Sequence, residues 1–177
     1  MTVSFRKKIA DGVTFWNQVL QTLAVPALTL FVLRVALAVP FWRSGILKWD
    51  GFLQINDTAV TLFSDEFMLH LPGGPYPFPA PAVMAFLSGC AEVALPIFLI
   101  LGLASRTAAL GLLVMTLIVQ LTVPDGWPIH ISWAAMALAI ITWGAGRASL
   151  DHVLWHFFHR STAQDEHPAK SPSRSAA

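Results

Sequence analysis

Residues 107–146 read TAALGLLVMTLIVQLTVPDGWPIHISWAAMALAIITWGAG, and this stretch decides the fold. Asp125 is the only side chain in it that is ionised at neutral pH, so uncharged runs of 18 residues (107–124) and 21 residues (126–146) lie on either side. A helix needs about 20 mostly apolar residues to cross a bilayer. The stretch therefore predicts two membrane-spanning helices joined by a short turn.

The chain as a whole is also rich in apolar residues and poor in charged ones. It has 177 residues, of which 55% are hydrophobic and 12% are charged, whereas about a quarter of the residues in soluble domains are charged. Apolar runs bounded by proline, glycine and charge predict four spans, at residues 26–47, 82–104, 106–123 and 128–146. We therefore expect an all-α fold, a polytopic membrane four-helix bundle with amphipathic surface helices at both termini.

The segments at the two ends of the chain have their own patterns. Residues 1–25 carry apolar side chains at helical spacing without a cleavage site, which predicts an amphipathic interfacial helix rather than a signal peptide. After the four-helix domain at residues 26–147, residues 148–160 predict a second amphipathic helix. Residues 161–177 are rich in serine, alanine and proline, which predicts a disordered tail.

The longest predicted loop, at about residues 48–81, joins the first two spans. Five prolines lie between Pro72 and Pro81, and proline is excluded from helix interiors and central strands. We therefore expect extended chain across the outer mouth of the bundle. Such a segment is either a stiff connector or a lid.

Lysine and arginine predict the orientation of the chain. Eight of them lie on the side of the two termini: three in the N-terminal tail, Arg106, and four beyond the last span. Only Arg43 and Lys48 lie on the other side. The positive-inside rule therefore places both termini in the cytoplasm.

Charge and cysteine content exclude several functions. The net charge is +1 and the chain has no extended basic tract, so nucleic acid is not expected as a partner. A single cysteine, Cys90, cannot supply an intramolecular disulfide, a redox pair or a cysteine-based metal site. We predict no metal site and no covalently bound cofactor, so that the electrons of any redox reaction come from a diffusible ligand or a partner.

Two charged residues fall inside predicted spans. Arg34 and Glu92 each lie near the middle of a span, where an ionised side chain costs at least about 2.5–3.5 kcal/mol. Counted from the inner ends of the two spans, their depths differ by roughly 6 Å, which an arginine side chain can bridge. We therefore predict an Arg34–Glu92 ion pair, either a structural clamp between helices or part of a ligand or proton site.

Three further residues are candidates for a site with this pair. Lys48 and Arg43 lie at the outer end of span one, where they could pair with loop carboxylates or attract an anionic ligand. His130 enters span four from the same side, either as a hydrogen-bonded interface residue or as a group that serves a quinone carbonyl or passes a proton. Our hypothesis assigns catalysis to Glu92, Arg34 and His130, and ligand binding to Lys48, Arg43, Arg34 and Glu92.

Scattered polar and small residues resemble the DoxX family. They are Arg34, Ser44-Gly45 and Lys48, Glu92, Leu101-Gly102-Leu103 with Arg106, and Gly144-Ala145-Gly146 with Ser149-Leu150-Asp151. The resemblance covers about residues 27–155 and implies a small four-helix membrane protein. It also marks Gly45, Arg106 and Asp151 as structural signature positions.

The resemblance also implies a class of function. The family is similar in name and pattern to DoxD, a subunit of an archaeal thiosulfate:quinone oxidoreductase, and other members are implied to act with thiol, sulfur or oxidative-stress enzymes. A shared fold does not transfer a reaction.

Our leading hypothesis is a bacterial inner-membrane protein, a subunit or accessory of a quinone-linked or thiol/sulfur-linked redox system. Its expected partners are the lipid bilayer and a redox partner protein or complex, with quinone as the candidate ligand. Homo-oligomer formation and a catalytic role as an oxidoreductase subunit stay open. The alternatives are a non-catalytic membrane scaffold or assembly protein for a partner enzyme, and a small-solute carrier, although the two halves show no internal repeat.

Overall fold

A computed structural model of the chain describes residues 2–23, 25–146 and 149–151. These residues form a mainly helical fold with two small hairpins. The helices are α1 (Thr2–Leu23), α2 (Pro26–Ile46), α3 (Asp57–Thr61), α4 (Pro81–Leu101), α5 (Ser105–Thr122) and α6 (Trp127–Trp143). The strands are β1 (Trp49–Gly51), β2 (Gln54–Ile55), β3 (Met68–Leu71) and β4 (Gly74–Pro77). Strand β1 pairs antiparallel with β2, and β3 pairs antiparallel with β4.

Helices α2, α4, α5 and α6 form the predicted bundle. The first three are each long and apolar enough to cross a membrane by length and composition. Helix α6 has 17 residues, is also apolar, and packs against α5 and α2. The four predicted spans agree with these helices to within three residues at each end. The prediction of an all-α membrane bundle is therefore confirmed.

Small residues bring α2 and α4 into close contact. The buried face of α2 contains Arg34, Leu37, Ala38, Phe41 and Gly45, at the spacing of three and four residues that places side chains on one helical face. A Cβ atom added to Gly45 would lie 2.8 Å from the backbone carbon of Glu92 on α4. The two backbones therefore touch at this level, as small residues permit in membrane helices.

The antiparallel α2 and α4 are staggered along the bundle. Gly45, next to the last residue of α2, lies beside Glu92, which is eleven residues from the first residue of α4. At 1.5 Å per residue, Glu92 lies about 16 Å from the first residue of α4. We call the end of the bundle that carries the connection at residues 47–80 the outer end, and the opposite end the inner end. Helix α2 therefore ends about halfway along α4. Another part of the chain must pack against the outer half of α4.

The connection at residues 47–80, which we call the outer cap, provides that cover. The indole of Trp49 lies against Gly89, where an added Cβ would be 2.8 Å from a ring carbon. Farther out, Phe63 and Phe78 belong to a second apolar core that includes Ala85 of α4. Hairpin β3–β4 contacts α5, and its His70 Nδ1 lies 3.0 Å from the carbonyl oxygen of Leu121.

The local chemistry of the outer cap explains its irregular course. Pro75 and Pro77 both lie in β4, which pairs with a single neighbour, so that proline is tolerated there. The predicted extended chain is therefore present as half of a hairpin. A short helix, α3, begins after Asn56, whose side chain accepts a hydrogen bond from the Ala59 amide at 2.7 Å. A π-helical turn at Leu62–Glu66 then leads into β3.

The terminal predictions are tested only in part. The predicted N-terminal helix is present as α1, and its Val13, Phe15, Trp16 and Leu20 side chains are exposed. Its position on a membrane surface stays a prediction. The predicted surface helix at 148–160 lies outside the described residues except for 149–151, and the predicted tail at 161–177 lies wholly outside them.

Candidate functional site: a capped lysine–glutamate pair

A cavity of about 410 Å³, which we call the outer cavity, lies in the outer half of the bundle. Its walls come from the end of α2, from α4 and α5, and from the outer cap. Three phenylalanines of the outer cap border it, namely Phe63, Phe67 and Phe78. Apolar side chains of α4 and α5 form most of the remaining wall, and the charged groups of its lining are Lys48 and Glu92.

Lys48 and Glu92 form a buried ion pair in this cavity. The Lys48 Nζ atom lies 2.5 Å from Glu92 Oε2, and the two side chains are only 12% and 6% exposed. Lys48 Nζ also donates to Ser44 Oγ at 3.0 Å, while Ser88 Oγ donates to Glu92 Oε1 at 2.8 Å. Both carboxylate oxygens therefore accept a hydrogen bond. An ammonium has three donors, and contacts with the described residues use two of those of Lys48, so one remains for a ligand.

Helical spacing and a fixed turn hold this group of four side chains. Ser88 precedes Glu92 by four residues on α4, so the two share a face. Lys48 lies just beyond α2, and its amide donates to the Gly45 carbonyl at 3.1 Å. Its own carbonyl accepts from the Asn56 amide at 2.9 Å. The outer cap thus fixes the turn that carries the lysine.

The predicted Arg34–Glu92 ion pair is wrong. Among the described residues, the carboxylate of Glu92 pairs with Lys48 instead. Arg34 is fully buried at the inner end of α4, where its Nη1 lies 3.3 Å from the Ile100 carbonyl and 3.5 Å from the Leu99 carbonyl. The prediction treated the ends of the two helices as level. Gly45 of α2 contacts Glu92 of α4, and Arg34 precedes Gly45 by eleven residues. Arg34 therefore lies about 16 Å along α2 from the position of Glu92.

Arg34 belongs to a second polar cluster, at the inner end of the bundle. Among the described residues, Asp151 carries an opposite charge that interacts electrostatically with Arg34. Asp151 accepts hydrogen bonds from the Ala104 amide at 2.7 Å and from the Ser105 amide and hydroxyl at 2.9 Å each. This carboxylate therefore caps the N-terminus of α5. Arg106 Nη2 reaches the Thr142 carbonyl at 3.4 Å, so the cluster ties the inner helix ends together.

His130 and Arg43 also lie away from the Lys48–Glu92 pair. His130 is buried between α5 and α6, where its Nδ1 lies 2.8 Å from Gln120 Oε1. It lines a separate cavity of about 320 Å³. Arg43 is exposed near the end of α2 and is not part of the lining of the outer cavity. Of the residues predicted for catalysis and ligand binding, the structure thus brings together Lys48 and Glu92.

The DoxX family model matches residues 29–125. This range holds α2 except its first three residues, the whole of α3, α4 and α5, the outer cap and both members of the Lys48–Glu92 pair. The chain belongs to the DoxX family. Family membership and the apolar helices make it an integral membrane protein.

One relative of this DoxX protein is an uncharacterized protein of Haemophilus influenzae. It is 28% identical over 141 residues, which cover 71% of this chain and 83% of that protein. No solved structure matches the chain. The DoxX match ends before His130 and Asp151, so the family model itself covers the outer site but not all of the inner cluster.

Sequence reasoning did not predict that Ser44 and Ser88 hydrogen-bond the charged pair of this DoxX site, because Ser44 entered only through the family resemblance and Ser88 only as a small residue of span two. It assigned no role to the phenylalanines of the outer cap. A search for polar residues four positions from each charged residue finds Ser44 beside Lys48 and Ser88 beside Glu92. No comparable signal exists for Phe63 and Phe78. They reach the cavity through the fold of a loop without helical or strand periodicity.

Proposed function

We propose that this DoxX protein binds a quinone in the outer cavity and serves a redox system of the bacterial inner membrane. The observation that carries this proposal is a buried Lys48–Glu92 pair in a cavity of about 410 Å³ with mostly apolar walls. Ligand sites of this kind combine an apolar lining with a few converging polar groups. A quinone has the matching form, since its polar carbonyls lie on an apolar ring and tail.

The route into the cavity favours a lipid-soluble ligand. Leu87 on α4 and Ile118 on α5 both line the cavity, and their side chains are 53% and 41% exposed. On a membrane bundle, such exposed apolar side chains face the acyl chains. The cavity therefore borders the lipid between α4 and α5, where a quinone can enter from the bilayer.

The ion pair has a role in both binding and proton exchange. The third donor of the Lys48 ammonium would bond a quinone carbonyl and stabilise the negative charge that develops when the ring is reduced. Glu92, held by Lys48 and Ser88, would exchange protons with the reduced ring. A redox partner protein that oxidises a thiol or sulfur compound would supply the electrons.

The distribution of lysine and arginine supports a cytoplasmic location for both termini. In that orientation, the outer cap and the cavity lie in the periplasmic half of the bundle. Exposed Arg43 then lies near the outer mouth, where its charge attracts an anionic sulfur compound or an acidic surface of the partner.

The test is analysis of what co-purifies with the protein in mild detergent. Native mass spectrometry and absorbance spectra of an organic extract would be recorded for the wild type, for Glu92→Gln and for Glu66→Gln. Glu66 is an exposed carboxylate of the outer cap outside the cavity lining, which makes Glu66→Gln the matched control.

We expect quinone in the wild type and in Glu66→Gln, and its loss from Glu92→Gln. Equal quinone content in all three would contradict the site. A wild-type protein that stays empty after incubation with excess quinone would favour the scaffold function instead.

A further inference from the structure

The second cavity, of about 320 Å³, lies between α5 and α6. The two cavities lie on opposite faces of α5. Leu117 and Gln120 line this second cavity, whereas Ile118 and Val119 line the outer cavity. The described lining of the second cavity contains no charged side chain. Leu117 is 60% exposed and Ile131 is 45% exposed, so that this cavity is a groove open to the lipid. We call it the α5–α6 groove.

A chain of hydrogen bonds fixes the tautomer of His130 in this groove. The Gln120 side-chain amide donates to the Pro124 carbonyl at 3.0 Å, which turns its Oε1 towards His130. A carbonyl oxygen only accepts, so His130 Nδ1 carries the hydrogen of their 2.8 Å bond. In the neutral imidazole, Nε2 is then an acceptor.

The Nε2 acceptor of His130 is a polar atom of the α5–α6 groove that a ligand can use. The side chain is only 7% exposed, yet its Nε2 has no hydrogen-bond partner among the described residues. Within the part of the chain that the structure describes, this nitrogen is not one of the fully buried polar atoms that lack a partner, so it is accessible from the groove that His130 lines. A ligand that supplies a hydroxyl donor would complete the site.

We propose that the α5–α6 groove binds a hydroquinone, with a phenolic O–H donating to His130 Nε2. An uncharged lining suits a neutral head group and gives no counter-charge to the phosphate of a phospholipid. The ring would lie beside the indole of Trp127, which also lines the groove. This site is independent of the outer cavity, where Lys48 offers a donor to a carbonyl, so either can exist without the other.

The test uses the protein in phosphatidylcholine nanodiscs with ¹⁵N-labelled histidine. A decyl-substituted benzohydroquinone is added under argon, and its dimethyl ether, which lacks O–H, is the matched ligand. The ¹⁵N resonance of His130 Nε2, assigned by its absence from His130→Gln, reports the hydrogen bond. A titration gives the affinity of each ligand.

We expect the hydroquinone to shift the Nε2 resonance and to bind up to about tenfold more tightly than its ether, the ratio that one net hydrogen bond provides. Leu117→Trp, which fills the groove, abolishes the shift. Leu138→Trp is its control, because Leu138 is 54% exposed and lies outside the groove lining. The double variant Lys48→Met/Glu92→Met, which removes both charged groups of the outer cavity and is expected to keep most of the stability, leaves the shift unchanged.

Three results would overturn the inference. An unchanged Nε2 resonance in the wild type would show that no hydroxyl reaches His130. Loss of the shift in the folded double variant Lys48→Met/Glu92→Met would place the ligand in the outer cavity. An equal shift with a diacylglycerol would assign the groove to a lipid alcohol.

Discussion

The Lys48–Glu92 pair predicts a specific pattern of stability in a double-mutant cycle. Lys48→Met leaves Glu92 with its Ser88 hydrogen bond but without its counter-charge, in a position that is 6% exposed. Breaking a buried pair from one side costs about 3–5 kcal/mol, whereas replacing both members by apolar residues is often neutral. We therefore expect Lys48→Met to cost about 3–5 kcal/mol and the double variant with Glu92→Met to recover most of it.

The expected cost of Glu92→Met alone is smaller. Lys48 follows the end of α2, is 12% exposed, and carries its ammonium on a flexible stem. It can therefore turn outwards and regain water when the carboxylate is removed. The wild type, the two single variants and the double variant complete the double-mutant cycle. Its coupling energy measures the interaction between Lys48 and Glu92.

The assay is unfolding in dodecyl maltoside micelles with an increasing fraction of dodecyl sulfate, followed by far-ultraviolet circular dichroism. Arg43→Met is the matched control, because Arg43 is an exposed cation on the same helix. Its effect should stay within about 0.5 kcal/mol. Additive costs of Lys48→Met and Glu92→Met, without coupling, would refute the buried pair.

Other regions give further predictions. Gly45→Ala puts a methyl group 2.8 Å from the α4 backbone, so it should cost about 1–3 kcal/mol in the same unfolding assay; an unchanged midpoint would argue against backbone contact. Asp151→Ala removes the cap of α5, and its loss should cost about 0.5–2 kcal/mol; no loss of stability would mean that water caps the helix equally well. In a Cys90→Ala background, an impermeant maleimide added outside cells should label Phe52→Cys but not Lys7→Cys, and the reverse labelling would invert the proposed orientation.

The buried face of α2 can be predicted from the helical periodicity of the sequence. Arg34, Ala38, Phe41 and Gly45 follow three- and four-residue spacing in the sequence, and all four are buried on α2. The spacing holds because the α-helix repeats every 3.6 residues, whatever it packs against.

The partner of each intramembrane charge could not be predicted from the same pattern. It depends on the longitudinal register of two helices, which is set by contacts such as that of Gly45 with Glu92. A stagger of eleven residues separates Arg34 from Glu92 and brings Lys48 to it. Periodicity within one helix carries no information about that stagger.

The outer cap was the part least accessible to sequence reasoning. Its prolines correctly excluded helix and central strand between residues 72 and 80, because their effect is local, and Pro81 is the first residue of α4, where proline is tolerated. The contacts of Trp49 with Gly89 and of Phe63 with Phe78 join residues far apart in the chain. They exist because α2 ends early and leaves a gap beside α4.

Photoaffinity labelling with an azido-quinone most directly tests the proposal that the outer cavity binds a quinone. The protein would be labelled in nanodiscs with and without excess unmodified quinone, digested, and mapped by mass spectrometry. We expect label that competes with quinone on the cavity wall, at Met84, Met115 or the outer-cap phenylalanines, and its loss from the folded double variant Lys48→Met/Glu92→Met. Label that is absent from this wall, or that persists in the double variant, would contradict a quinone site built on the Lys48–Glu92 pair.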